Sequence, residues 1–302
     1  MPLTPEQQAE IETERATPRQ TLRAVSPGME ARLYTAHPVL DHGFVRVIDY
    51  MGDDAAICQA ARVSYGKGTR SVQNDEGLIR YLMRHWHSTP FEMCEVKFHV
   101  KLPVFVARQW IRHRTANVNE YSGRYSILDR EFYIPRPEHL AAQSTQNNQG
   151  RGEVLQGDEA QRVLDLLRED AMRSYDNYEA MLSQDGQQGL ARELARMNLP
   201  ANIYTQWYWK VDLHNLLHFL RLRADAHAQY EIRAYADLMC DIVQDWVPAA
   251  FGAFRDYRMD AVSLSAQGAE ALRRRLAGEA VTQENSGMGA REWREFQQEW
   301  GD

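Results

Sequence analysis

Arg112 to Tyr125, RHRTANVNEYSGRY, sets three arginines, a histidine, a glutamate, a serine and two tyrosines into fourteen residues of a chain whose net charge is -7. Arginine presents a planar fork of donors that never deprotonates, so Arg112, Arg114 and Arg124 in close company need anions to compensate them. A phosphate, a pyrophosphate or carboxylates would serve. Glu120, Asp129 and Glu131 are near in sequence, and surface pairing with them is the plain reading of such a cluster. The residues between the arginines point further. His113 lies between two like charges, which disfavours its protonation and predicts a neutral imidazole. A polar turn is predicted over Asn117 to Ser122, with Glu120, Ser122 and the Gly123 backbone offering acceptors and donors together. A uracil-type base needs such mixed partners, and its phosphate needs the arginines.

Other chemistry has weaker support. His214 and His218 stand four apart on a predicted helix, as a metal pair could, but Asn215 replaces the glutamate of the HExxH zinc pattern, so no metal is assigned. Cys58, Cys94 and Cys240 form neither a disulfide framework nor CxxC spacing and read as small apolar side chains. No Gly-rich phosphate loop of either common type occurs. The net negative charge opposes nucleic acid as the main partner. No run approaches the ~18 apolar residues of a membrane span. The first twenty residues are polar and acidic, unlike a signal peptide, which predicts a cytoplasmic protein.

Elements must position these groups. Phe44 to Tyr50 alternates as a strand, and Asp53 and Asp54 can cap the helix that follows. Asn74 is a cap for a helix through Leu78, Ile79, Leu82 and Met83. From Glu95 to Leu102 apolar Val96, Phe98, Val100 and Leu102 alternate with polar residues, a period of two with one buried face. Pro103 opens a helix with Val104, Ala107 and Ile111 predicted on its apolar face and Gln109 and Arg112 on a neighbouring one. Helices are predicted at Ala160 to Leu182 and Gly189 to Met197, then a strand at Tyr204 to Val211 whose Trp207, Tyr208 and Trp209 suit a core or an interface. Asp212 can cap a helix burying Leu213, Leu216, Leu217 and Leu220, and a last long helix runs from Ala226 toward Pro248. The expected fold is α+β, a small, mainly antiparallel central sheet flanked by helices in a single domain with helical or extended termini. The expected organisation is an arm over 1–28, the domain over 29–262 with a surface loop inserted at 141–158, and an extension over 263–302 interrupted at SGMGA.

The chain resembles the flavin-dependent thymidylate synthases. Their signature, Arg-His-Arg followed by Ser after seven residues, matches Arg112, His113, Arg114 and Ser122 without a gap. The likeness extends to HSTPFE at His87 to Glu92, FHVKLPVFVARQW leading into the signature, RMNLP at Arg196 to Pro200 and LRADAHAQYEIR at Leu222 to Arg233. It spans Phe44 to Tyr257, with these segments in the family's order.

That resemblance implies synthesis of dTMP from dUMP, with methylenetetrahydrofolate as carbon donor and NADPH reducing an FAD. Side chains carry no hydride, so the protein must position a flavin, here without Rossmann glycines. The resemblance implies FAD contacts from Thr89, Arg112, His113, Arg114, Glu120, Asp212, His214 and His218. It implies dUMP contacts from Gln109, Arg112, Glu120, Ser122, Gly123, Arg124 and Arg196, with folate over the flavin at His87. Arg223 would face the uracil and favour ionisation at N3, with no protein nucleophile. A homotetramer with shared active sites is implied as well. The chain departs from the family's frequent Asn, Arg and Asn at the Asp212, His214 and His218 positions, where Asp212 reads equally as a helix cap. Two other classes compete: a nucleotide sensor, which would bind dUMP without oxidising NADPH, and a metallohydrolase built on His214 and His218.

Overall fold

The computed structural model describes residues 4–64, 75–145, 150–182 and 188–301. Asn74, expected as a helix cap, lies outside them. The helices in chain order are α1 (Pro5–Arg15), α2 (Pro27–Arg32), α3 (Asp54–Val63), α4 (Asp75–Arg84), α5 (Thr89–Glu92), α6 (Val104–Trp110) and α7 (Gly157–Met181). They continue with α8 (Arg192–Ala195), α9 (Leu213–Arg223), α10 (Tyr230–Trp246), α11 (Pro248–Phe254), α12 (Ala266–Leu276), α13 (Gln283–Ser286) and α14 (Ala290–Trp300). The strands are β1 (Ala36–Val39), β2 (Gly43–Met51), β3 (Glu95–Pro103), β4 (Asn117–Glu120), β5 (Ala141–Gln143), β6 (Arg151–Val154) and β7 (Tyr204–Asp212).

An open five-stranded sheet in the order β1-β2-β3-β7-β4, antiparallel at every pairing, carries the molecule. Its central strand β3 follows the predicted alternation: Val96, Phe98, Val100 and Leu102 are buried and the polar residues between them are not. In β7 Thr205, Trp207, Trp209 and Val211 face the same core, leaving Tyr208 on the other side. Helices α9 and α10 cover this buried face with Leu216, Leu217, Phe219, Leu220, Ile232 and Tyr235. The fold is the expected α+β class, with a mainly antiparallel sheet flanked by helices.

Five local expectations change. The apolar face of α6 is Val106, Ala107 and Trp110, whereas Ile111 is exposed and Val104 only partly covered. A Trp ring buries far more surface than an Ile side chain, so Trp110 sets the rotation of this short helix, its ring against Trp207, Trp209, Phe219 and Tyr235. Asn117 to Glu120 forms strand β4 rather than a turn, because the open edge of β7 supplies backbone partners from Lys210 to Trp207. The stretch expected as a surface loop contains the hairpin β5–β6. Leu140 packs there with Ala160 and Leu164, next to Leu155. The predicted helix over Gly189 to Met197 is shorter, α8 followed by a 3-10 turn over Arg196–Asn198. Likewise α10 starts at Tyr230, after a turn that includes Asp225 to Ala228.

The chain divides into two compact units, Met1–Met259 and Asp260–Asp302. Within the first, the arm is tied down: the Ser26 hydroxyl donates to the Trp246 carbonyl at 2.9 Å and Arg23 to the Tyr50 carbonyl at 2.6 Å. In the second unit α12 and α14 close over Ala271, Met288 and Phe296, with the Arg275 guanidinium over the rings of Trp293 and Phe296. Gly287, at φ 77°, makes the turn after α13 inside SGMGA. No helix among the described residues is long and apolar enough to cross a membrane.

Candidate active site

Once Trp110 is locked in the core, the chain leaves α6 with Arg112 and Arg114 in solvent and His113 half-buried. The His113 ring stands edge-on to Phe219, 4.9 Å between centroids, and to His218 at 6.1 Å. Its Nε2 accepts a 3.0 Å hydrogen bond from Nε of Arg223, at the last turn of α9. Burial, then the charge of Arg223 and the proximity of His218, push the His113 pKa down to about 4. The imidazole is therefore neutral, as expected, but through burial and Arg223 rather than through its sequence neighbours. Neutrality is what lets Nε2 accept: the pair fixes both the tautomer of His113 and the direction of the guanidinium. Burial also lowers the Arg223 pKa, so this cation lacks part of its hydration.

Two of the three expected carboxylate partners, Glu120 and Glu131, are engaged elsewhere. Glu120 accepts from the Thr205 hydroxyl at 2.8 Å, Glu131 pairs with Lys101, and Arg124 reaches Glu193 at 3.1 Å. Arg112 and Arg114 have no ion pair among the described residues. Strand β4 then separates the site residues into two groups. At about 3.3 Å per residue its four residues span roughly 13 Å. At the end pairing with Lys210 lie the Arg112–Arg114 turn and the start of α9, bridged where the Thr115 hydroxyl donates to Oδ1 of Asn215 at 2.8 Å. At the other end Ser122, Gly123 and Arg124 form a tight turn, the Arg124 N–H reaching the Ser122 hydroxyl at 3.3 Å. A Cβ on Gly123 would come within 3.3 Å of Cδ of Arg196, so glycine permits this arginine to lie against the turn. Arg192 holds α8 in place by donating to the Tyr125 carbonyl at 2.7 Å.

A cleft beside the first group is lined by Trp86, His87, His214, His218, Arg221 and Arg258. Thr89 lies close in sequence, at the exposed start of α5. Trp86 is exposed, in the left-handed region at φ 63°, under the Arg258 guanidinium at 3.5 Å. Trp86, Arg221, Arg258 and Gln229 were not singled out from sequence, although HSTPFE beside Trp86 and LRADAHAQYEIR, which contains Gln229, offered signals. Asp212 caps α9, one oxygen accepting from the Asn215 N–H at 2.9 Å and the other from its side-chain amide at 2.7 Å. Gln109 donates to Gln229.

No nucleophile emerges. Burial pushes the thiols of Cys58, Cys94 and Cys240 up to about 11, 12 and 12. Among the described residues, no group of three His, Cys, Asp or Glu side chains could hold a metal ion. The arrangement can cradle anions, present a partly desolvated cation next to a neutral imidazole, and offer flat rings at Trp86, His87 and His218.

The family model described as thymidylate synthase complementing protein matches residues 46–249. A flavin-dependent thymidylate synthase from Ruegeria pomeroyi is 80% identical over 98% of both chains, and one from Gluconobacter oxydans is 65% identical over 98% of this chain and 97% of its own. Among solved structures, a UMP/dUMP methylase from Streptomyces cacaoi, bound with 5-Br dUMP, superposes with a TM-score of 0.65 at 31% identity, covering 73% of this chain and 97% of its own. The same methylase bound with 5-Br UMP gives a TM-score of 0.64. By the match of more than half its length and by relatives this similar over nearly the whole chain, the protein belongs to the flavin-dependent thymidylate synthase family and is an enzyme.

Proposed function

We propose that this chain converts dUMP to dTMP by reductive methylation, taking its carbon from methylenetetrahydrofolate and its reducing equivalents from NADPH, at a site centred on the His113–Arg223 pair. The observation that carries the reading is that bond: a neutral imidazole holds Nε of a half-buried guanidinium. With Nε committed to His113, the terminal nitrogens of Arg223 remain for an anion. Uracil deprotonated at N3 is such an anion: its charge rests on N3 and the two carbonyl oxygens, and the electron-richer ring pushes harder from N1 through C6 to C5, the carbon that accepts the methylene. A fixed cation there stabilises charge as it develops, the logic of an oxyanion hole, so no protein nucleophile is needed.

The residues present fit FAD: the guanidinium groups of Arg112 and Arg114, without an ion pair among the described residues, suit its pyrophosphate, next to a cleft with flat walls. Bound FAD would supply the hydride that side chains cannot. Thr89, Arg112, His113, Arg114, Glu120, Asp212, His214 and His218 are assigned to it. For Asp212 this assignment stands beside its cap, since Asn215 occupies both carboxylate oxygens. His87 would stack the folate. Gln109, Arg112, Glu120, Ser122, Gly123, Arg124 and Arg196 would hold dUMP, with the phosphate at Ser122 and Arg124. Within one chain the Arg112–Arg114 turn and the Ser122–Arg124 turn lie at opposite ends of β4, and the exposed edge of β4 supports closure by neighbouring copies in a homotetramer with shared sites. The chain would work in the cytoplasm, with neither nucleic acid nor membrane as partner, as an arm over 1–28, a catalytic domain over 29–262 and an extension over 263–302.

The purified protein should show a flavin absorbance band that NADPH bleaches, faster when dUMP is present, with dTMP formed once methylenetetrahydrofolate is added. A protein that binds dUMP but neither takes up FAD nor oxidises NADPH would be a nucleotide sensor instead.

A further inference from the structure

We infer that Arg151, on the β5–β6 hairpin, is a positioning residue for Gln109: it pins Glu231 as an acceptor and, through Gln229, sets which end of the Gln109 amide faces the nucleotide. The inference rests on the proposal that Gln109 touches dUMP. Arg151 Nη2 donates to both carboxylate oxygens of Glu231, at 2.7 and 2.6 Å, and Nη1 to the His139 carbonyl at 3.1 Å. The guanidinium also lies over Tyr230, whose ring stacks on His139 at 3.6 Å. Glu231 is 4% exposed, and its remaining neighbours are donors too: the Tyr133 hydroxyl at 3.1 Å and the Gln229 amide at 2.8 Å.

Polarity then propagates outward. An ionised carboxylate only accepts, so Gln229 must turn its NH2 toward Glu231 and its carbonyl toward Gln109. Gln109 must answer with its own NH2, as it does. What remains on Gln109 is its carbonyl oxygen and the second N–H of its NH2, with the carbonyl presented as an acceptor for a hydrogen-bond donor of the nucleotide. Oxygen and nitrogen of an amide are told apart by the network they sit in, and this one begins at a buried carboxylate, Glu231, held by the more exposed Arg151, which admits a single orientation. Glu231 stays ionised: burial alone would raise its pKa, but the hydrogen bonds from Arg151 and Gln229 outweigh it and leave the pKa lowered. A hairpin expected as peripheral thereby reaches the binding site.

Steady-state kinetics of the holoenzyme with dUMP varied would test this on Arg151→Ala, Arg151→Lys, Gln229→Ala, Gln109→Ala and the Arg151→Ala/Gln109→Ala double variant. Each alanine variant should raise KM for dUMP about tenfold with kcat at saturating dUMP retained, the signature of lost uniform binding. Lysine at 151 should restore most of the affinity, and the double variant should be no worse than Gln109→Ala alone. An unchanged KM in Gln109→Ala would remove the contact with dUMP, and the relay with it. A raised KM there but not in Arg151→Ala or Gln229→Ala, or additive effects in the double variant, would overturn the relay and leave the contact standing. Gln229→Ala keeps the ion pair intact and so decides the matter if Arg151→Ala fails to fold.

Discussion

At one end of β4 His113 and Arg223 are half-buried and hold each other directly; at the other, the Arg124 side chain stands in solvent, paired with a similarly exposed Glu193. The first pair has given up water for orientation. An exposed ion pair is worth about 0–1 kcal/mol, so a phosphate can take Arg124 from Glu193 at little cost. One end of the strand is built to act on charge as it develops and the other to capture charge already present. Binding strength and chemical rate should therefore separate along this strand.

The sharpest break is Arg223→Ala. It removes an interaction realised as charge develops, so turnover should fall by about a thousandfold or more while FAD and dUMP still bind. Flavin absorbance, dUMP titration and dTMP formation measured on one preparation would check it, and near-wild-type turnover would sink the assignment. A smaller effect is expected from Arg124→Ala: KM for dUMP should rise about tenfold to a hundredfold, losing a charge-assisted contact of about 1.5–3 kcal/mol, with kcat less affected. Unchanged dUMP affinity would place the phosphate elsewhere. The smallest and most selective effect concerns pH. His113 titrates near 4 in the fold against about 6.5 for a free imidazole, so between those values the unfolded chain binds a proton that the folded chain refuses. Its contribution to stability is accordingly full above about pH 6.5 and lost as pH falls toward 4. A His113 ring resonance that titrates near 4 by NMR fits the bond to Arg223; a midpoint near the ordinary value would mean that the bond does not hold in solution.

Legibility from sequence followed the length scale of the cause. The alternation in β3 and the leucines of α9 state their buried faces within a few residues, and the structure keeps both. The spacing of Arg112, His113, Arg114 and Ser122 named the family, because a binding turn is a local object. The face of α6 was misread because Val104, Ala107 and Ile111 look periodic, whereas one Trp outweighs them once the aromatic cluster exists. Asn117 to Glu120 has turn-forming asparagines and becomes a strand only because β7 offers its edge.

By itself the sequence determined the α+β class, the central strand, the Asp212 cap and the residues that gather charge, all of which depend on period, propensity or spacing along the chain. Only the tertiary structure decided that His113 and Arg223, 110 residues apart, share one hydrogen bond, and that Arg151 reaches Glu231 across 80. Such pairings require distant segments to be desolvated together, and no local signal encodes which partner will meet a buried charge.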